Sequence, residues 1–385
     1  MDQPQRLWIL TTEYEPHIIG GLGTAVTNLS KAYAQNGVHV TVLCRNKGAR
    51  VNTETRKRLF IVRFPAKSPY FSAKRQQFQP SAIEKWIGRR AIRQPDGIHI
   101  HSVPFSDVAL HFQAKRRIPV VYTSHSLVAL ENGPAHREKR MVAAQQALLL
   151  KKADLVTVPS RPERAKLYKM YPYCRGKTAV VYHGIVLSKS VSRASRHHLL
   201  YVGRLVPQKG IEQLLKAVSI LIKEGTRVRL DVAGTGAKAY VLHLKRLARK
   251  LGISSQVRWL GYRKPNEVRH LYATRGAVVM PSLEESFGLV ALEALASGIP
   301  LVSTRSGGLA DVVNAAVAQT IPHPSGAAIA RSIRAMLNNK RLTDKRVAAG
   351  RLLASRYPWS RSAHLYMKLF RQLQSRNAAG KKGRS

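Results

Sequence analysis

The chain has 385 residues, enough for two ordinary domains, each with its own core. Its 44% hydrophobic content is that of a soluble globular protein, and no apolar run approaches the ~20 residues of a spanning helix. Two cysteines, Cys44 and Cys174, supply neither a disulfide framework nor a Cys-rich zinc site.

Charge is the anomaly. Lys and Arg number 65 against 20 Asp and Glu, a formal +45 with a sequence pI near 11.1, and such a field attracts polyanions. About 30 of the cations precede Leu187 and about 35 follow it, so no single domain owns the excess. With no localised footprint and no reading motif, specific nucleic-acid binding is not expected. A lineage-wide bias toward basic residues would give the same count. Strand-like sequence starts at Leu7, which leaves no room for a signal peptide. The expected location is cytoplasmic, and the charge is compatible with peripheral contact at the inner face of an anionic membrane.

In chain order, residues 6–14 read as a first strand, followed by Gly20-Gly21-Leu22-Gly23, a helix through Ala34 and a strand over 38–44. This is a Rossmann-like opening without the G-x-G-x-x-G fingerprint, so an NAD site is not supported. The glycines suit a loop whose backbone approaches a ligand closely. Strands follow at 59–64 and 97–101. Between them Ile83, Trp86, Ile87 and Ile92 alternate with Lys85, Arg89, Arg90 and Arg93. That spacing fits a basic amphipathic helix, and fits better an ordinary surface helix with one buried stripe. The strand over 119–124 places His125 at its carboxyl end, where doubly wound sheets bind ligands. His99 and His101 alternate on one face of their strand, with no further metal ligands identifiable.

Further strands fall at 153–160 and 178–185, and the polar run 189–198 reads as an interdomain linker. A second domain opens with a strand over 199–202 and the phrase Gly203-Arg204 to Lys209-Gly210. Two cations about five residues apart, one at a strand end and one before a helix, can converge on one pyrophosphate. The strand over 228–233 ends at Gly234, and that over 257–260 leads to Gly261-Tyr262.

The organising stretch is 278–311: a short buried strand, a loop with Glu284 and Glu285, a helix opening after Phe287-Gly288-Leu289, and another strand after Pro300. Glu285 precedes Glu293 by eight residues, and the helix N-terminus between them favours a phosphate. One carboxylate outside the strand end and one inside the helix can face a ligand with phosphates at one end and hydroxyls at the other. That describes a nucleotide sugar.

These phrases resemble the retaining GT-B glycosyltransferases, glycosyltransferase family 4 and the glycogen synthases, over nearly the whole chain. They are most specific from Tyr201 to Asp311. The resemblance implies an α/β GT-B fold, two Rossmann-like doubly wound domains facing each other across a cleft. Its expected layout is an acceptor domain (1–188), a linker (189–198), a nucleotide-sugar domain (199–357), a helix crossing back to the first domain (358–375) and a disordered basic tail (376–385).

The resemblance also implies roles. His125, Arg204, Lys209 and Glu285 would be catalytic. Gly20, Gly21, Gly203, Gly234, Tyr262, Ser286, Phe287, Gly288, Leu289 and Glu293 would bind the donor, with Glu293 on the ribose. His183 stands where family members usually have Asn. No Asp-x-Asp is present, so the basic clamp is expected to replace a metal, and no cofactor is expected beyond the donor substrate. The implied reaction moves a sugar from a UDP- or GDP-sugar to a hydroxyl on a glycan, lipid or cell-envelope polymer. An anionic or lipid-linked acceptor is compatible with the charge. Alternatives are a sugar-nucleotide epimerase of the same fold and a non-catalytic polyanion binder. A glycogen synthase proper is disfavoured by its usual greater length and by this chain's basic surface.

Overall fold

The computed structural model describes residues 6–130, 137–188 and 194–382, with side chains as far as residue 376. The chain divides into two compact units, Met1–Gly184 with Trp359–Ser385, and Ile185–Pro358. Among the described residues no helix is long and apolar enough to cross a membrane.

The first unit carries strands β1 (Arg6–Thr11), β2 (His39–Asn46), β3 (Asn52–Arg56), β4 (Leu59–Pro65), β5 (Phe71–Ser72), β6 (Gln77–Phe78), β7 (Gly97–Ile100), β8 (Val120–Thr123), β9 (Leu155–Val158) and β10 (Thr178–Val180). Its main sheet runs β10-β9-β8-β7-β1-β2-β4-β3. All pairs are parallel except β3, which folds back antiparallel on β4, and β5 with β6 forms a separate hairpin. Helices α1 (Gly21–Gln35), α2 (Pro80–Arg89), α3 (Ser106–Arg116), α4 (Arg137–Lys152) and α5 (Arg161–Met170) alternate with the strands. Leu7, Trp8, Ile9 and Leu10 are all buried, the continuous apolar run that a sheet covered on both faces requires. Trp8 meets Phe112 edge-on at 4.9 Å and Phe78 stacks on Phe105 at 4.0 Å.

On α2, Ile83 and Ile87 are buried and Trp86 packs edge-on against Phe64 at 5.3 Å. Its apolar residues are committed to the core, which is the ordinary surface-helix arrangement.

The second unit carries β11 (His198–Val202), β12 (Arg229–Ala233), β13 (Val257–Gly261), β14 (Ala277–Met280), β15 (Leu301–Ser303) and β16 (Gln319–Thr320), ordered β13-β12-β11-β14-β15-β16 and parallel throughout. Helices α6 (Ile211–Lys223), α7 (Lys238–Lys250), α8 (Pro265–Thr274), α9 (Leu289–Ser297), α10 (Gly326–Asn338) and α11 (Lys340–Ala354) cover it. On α6 the buried Ile211, Leu214, Leu215, Val218 and Leu221 form one helical stripe. Asp231 is buried within β12. Burial alone would raise its pKa, but Arg258 (2.7 Å), Arg275 (2.6 Å) and His198 (3.3 Å) outweigh that and hold it at about 2.

Residues ahead of the stretch expected as a linker already belong to this second unit. The Ile185 amide donates to the Tyr357 carbonyl at 2.7 Å, and Arg351 donates to the Ser188 carbonyl at 3.3 Å. Residues 189–193 of that expected linker lie outside the described residues.

The last helix, α12 (Trp359–Lys382), belongs to the first unit. Tyr366 bonds Thr123 of β8 at 3.0 Å, and Gln374 donates to the Asp96 carbonyl at 3.2 Å. The Phe370 ring lies where a Cβ on Gly97 would come within 2.6 Å of it, so the helix sits directly on the sheet. It also corrects the expected tail: residues 376–382 are helical, and 383–385 lie outside the described residues.

Strand order reverses between β1 and β7 in one sheet and between β11 and β14 in the other. In open α/β sheets, ligands bind outside the carboxyl ends of the strands at such a reversal.

Candidate active site

In the second unit two loops meet at the reversal, one after β11 and one after β14. Their contact is backbone on backbone: the Leu283 amide donates to the Gln208 carbonyl at 2.8 Å. Gly210 makes the approach possible. It sits at φ 70°, and a Cβ there would fall 2.1 Å from the Pro281 carbonyl oxygen. The result joins two residues 76 apart in sequence: Lys209 Nζ donates to Glu285 Oε2 at 2.7 Å and to the Glu284 carbonyl at 3.4 Å. Both side chains are 18% exposed, so the pair is partly desolvated but open to a ligand.

Arg204 is exposed on the turn after β11, and its carbonyl is held by the Tyr201 hydroxyl at 2.9 Å. Gly203 and Gly234 lie back to back, the Gly203 amide donating to the Ala233 carbonyl at 3.0 Å and the Gly234 amide to that of Gly261 at 2.8 Å. Tyr262 follows at the end of β13 and is 43% exposed. Ser286 is half-buried, while the Phe287 side chain is only 3% exposed and belongs to the core. Gly288 caps α9 in the left-handed region (φ 96°), and Leu289 is the first helical residue.

Glu293 lies one turn into α9, half-buried, and accepts from the Tyr272 hydroxyl of α8 at 2.9 Å. Burial pushes its carboxyl up to about 7, with the Tyr272 hydrogen bond and Arg269 pulling the other way. Glu293 is thus poised between its charged and neutral forms near neutrality.

In the first unit, Gly20 caps α1 and Gly21 begins it. Glu13, just past β1, accepts from the Ile19 and Gly20 amides at 2.9 and 3.0 Å through Oε2. That carboxylate braces the glycine loop. His125, beyond β8, is half-buried and its Nε2 lies 3.0 Å from His101 Nδ1. Its ring stacks on His183 at 5.2 Å, and the His101 ring lies 4.0 Å from that of His99. Behind them His99 bonds Tyr33 at 3.1 Å and Thr123 at 2.7 Å. Burial lowers the pKa of all four imidazoles, His183 to about 4. No group of three or more His, Cys, Asp or Glu side chains able to hold a metal ion occurs among the described residues.

Several supporting residues carried no signal that singled them out. Gly307 and Gly308 clamp the loop after β14: Gly308 donates to the Glu285 carbonyl at 2.7 Å, and a Cβ on Gly307 would fall 2.3 Å from that oxygen. Their place in the phrase Ser306-Gly307-Gly308-Leu309 was visible in the sequence, but their partner was not. Tyr272 and Glu13 likewise act through contacts that no local pattern announces.

Comparison with solved structures defines the class. The structure matches sucrose-phosphate synthase from Thermosynechococcus elongatus with a TM-score of 0.81 at 22% identity, covering 96% of this chain and 99% of that one. It matches HepE of Anabaena, solved with UDP and glucose, at 0.75 and 18%, covering 96% and 100%. The fold is GT-B, with two Rossmann-like units.

The family follows from sequence. The model described as Glycosyltransferase Family 4 matches residues 19–189, and that described as Glycosyl transferases group 1 matches 187–352. D-inositol 3-phosphate glycosyltransferase of Corynebacterium diphtheriae is 30% identical over 327 residues, 75% of each chain. Glycogen synthase of Mycobacterium tuberculosis is 27% identical over 380 residues, 92% of this chain and 91% of that one. The chain belongs to the group 1 glycosyltransferases of family 4 and is a glycosyltransferase enzyme.

Proposed function

We propose that this glycosyltransferase moves a sugar from a UDP- or GDP-sugar to an acceptor hydroxyl on a glycan, lipid or cell-envelope polymer, with retention at the anomeric carbon and without a metal. The observation that carries the reading is the 2.7 Å contact of Lys209 with Glu285 beside the start of α9. The bond from the anomeric carbon to the diphosphate oxygen breaks with its electron pair on oxygen. The acceptor oxygen bonds the same carbon, and the hydroxyl proton leaves on the diphosphate. Lys209, Arg204 and the N-terminal end of α9 stabilise the charge that develops on the leaving group. Glu285 favours positive charge developing on the sugar in this reading, and Glu293 accepts from ribose hydroxyls. In the first unit, His125 and the loop at Gly20 and Gly21 are proposed as site residues on the strength of the family resemblance.

A nucleotide-sugar donor is in keeping with the UDP and glucose named for the Anabaena structure. A glycogen synthase activity is a second reading, since the mycobacterial relative aligns over nearly its whole length and so length does not set this chain apart. The deciding experiment is a panel of UDP-glucose, UDP-galactose, UDP-GlcNAc, GDP-mannose and ADP-glucose, scored by thermal shift and slow diphosphate release in EDTA. One stabilising, hydrolysed UDP- or GDP-sugar is the expected result. Hydrolysis only after a divalent ion is restored would overturn metal independence. ADP-glucose with transfer to an α-glucan primer would establish the second reading, and failure of all five would overturn the assignment of a UDP- or GDP-sugar donor.

A further inference from the structure

His99, His101, His125 and His183 form a connected set in the first unit. His125 Nε2 and His101 Nδ1 are 3.0 Å apart, so one proton lies between them. His101 is 4% exposed, and its Nε2 is buried with no hydrogen-bond partner among the described residues. Two settings are open to a neutral pair. If His125 donates from Nε2, His101 must carry its own proton on Nε2, an orphaned buried N–H. If His101 donates from Nδ1, its Nε2 is a bare lone pair, and buried acceptors left unpaired are better tolerated than buried donors.

We infer that His101 donates from Nδ1 to His125 Nε2 and so fixes His125 as the Nδ1–H tautomer. In that form His125 offers a ligand oxygen, a sugar hydroxyl or a phosphate, a hydrogen-bond donor and not a base. His101 is then a positioning residue acting through His125. The surroundings keep the set uncharged. Burial, then His183 and His101, hold His125 well below its ordinary range. The titratable groups facing the pair are His99 from β7 and His183 after β10, with Tyr33 of α1 and Tyr366 of α12 against His99. The inference rests on the reading of His125 as a site residue.

The test is long-range ¹⁵N–¹H correlation on the full labelled chain, with His125 assigned from a His125→Asn sample. The wild type is expected to show a protonated Nδ1 and a bare Nε2 on His125, unchanged across neutral pH. His101→Leu should release that tautomer into exchange and lower kcat about tenfold with little change in donor KM, the loss of one hydrogen bond. His101→Asn, whose amide can donate to Nε2, should restore both. A proton on Nε2 in the wild type overturns the inference, a result that needs no variant to fold. So does an unchanged Nδ1–H signature in His101→Leu. If the spectra behave as expected but turnover in His101→Leu does not fall, the tautomer stands and the assignment of His125 to the site fails.

Discussion

The two units place opposite chemistry at equivalent positions in their sheets. At the β11–β14 reversal stands a charged pair, Lys209 and Glu285, each 18% exposed. Near the β1–β7 reversal stand neutral imidazoles, packed on one another and backed by the hydroxyls of Tyr33, Thr123 and Tyr366. One arrangement suits a reaction step in which charge moves, because preorganised ions are already aimed where it appears. The other suits orientation, because a buried polar set without charge holds ligand groups by geometry alone. The same layered scaffold thus meets two electrostatic demands, and each can be broken separately.

The largest expected effect is on the charged half. Lys209→Ala and Glu285→Gln should each lower kcat/KM by about 10²–10³-fold, the scale of a lost transition-state contact. Thermal stability should change by no more than ~1 kcal/mol, since a partly exposed ion pair contributes little to folding. Steady-state rates and melting curves on the same samples check both. A loss under about threefold would mean that the pair is scaffold and the contrast between the units is only one of packing.

Next comes the glycine loop, which the first unit braces with the Glu13 carboxylate. Glu13→Ala removes the acceptor for two backbone amides and should raise donor KM roughly tenfold, consistent with the loss of charged hydrogen bonds. Glu13→Gln keeps an acceptor oxygen and should recover most of it. Equal damage from both substitutions would show that the charge, and not the brace, is what matters.

Glu293 sharpens the comparison through pH. Its carboxyl is raised to about 7 by burial, so the folded, ligand-free protein favours the neutral form. Stability from this group is fully present below the ordinary carboxyl value and is lost as pH rises through 7. Ribose hydroxyls need an acceptor, so donor binding should weaken as pH falls below 7, with net proton release on binding near neutrality. Calorimetry in buffers of different ionisation heat measures that release. The Tyr272 hydrogen bond lowers this pKa, so Tyr272→Phe should move the acidic limb of donor binding upward and weaken binding about fivefold near pH 7. An unshifted limb would place the titration on another group.

Much of this was legible in the sequence because the elements are strongly patterned. The central strands read within a few residues of their observed bounds, since buried parallel strands appear as unbroken apolar runs. The strand Asn52–Arg56 was not expected: it is an exposed edge strand with the sequence NTETR, and nothing in its alternation marks it. The hairpin of two-residue strands at Phe71–Ser72 and Gln77–Phe78 is too short to have a period. The site divides in the same way. Lys209 and Glu285 stood out through their phrases, whereas Tyr272, Gly307 and Glu13 matter only for what they touch across the fold. The departure at His183 was visible, but its stacking partner needed coordinates.

His183 gives the smallest expected effect and the finest test of the neutral half. Asn, usual at this place in the family that the sequence resembles, would remove the ring stacked on His125 at 5.2 Å. Losing the stack should cost ~1 kcal/mol, a few degrees in Tm, and change turnover by less than about threefold. Its pH behaviour has the opposite sign to that of Glu293. Burial lowers His183 to about 4, so its contribution to stability is present above the ordinary histidine value near 6.5 and is lost as pH falls through 4. His183→Asn should therefore melt earlier than wild type at neutral pH, with the gap narrowing as pH falls toward 4. Thermal melts across that range read the crossing directly. A gap that stays constant with pH would mean that His183 takes up its proton as readily folded as unfolded, and the burial-driven uncharged column in the first unit would have to be given up.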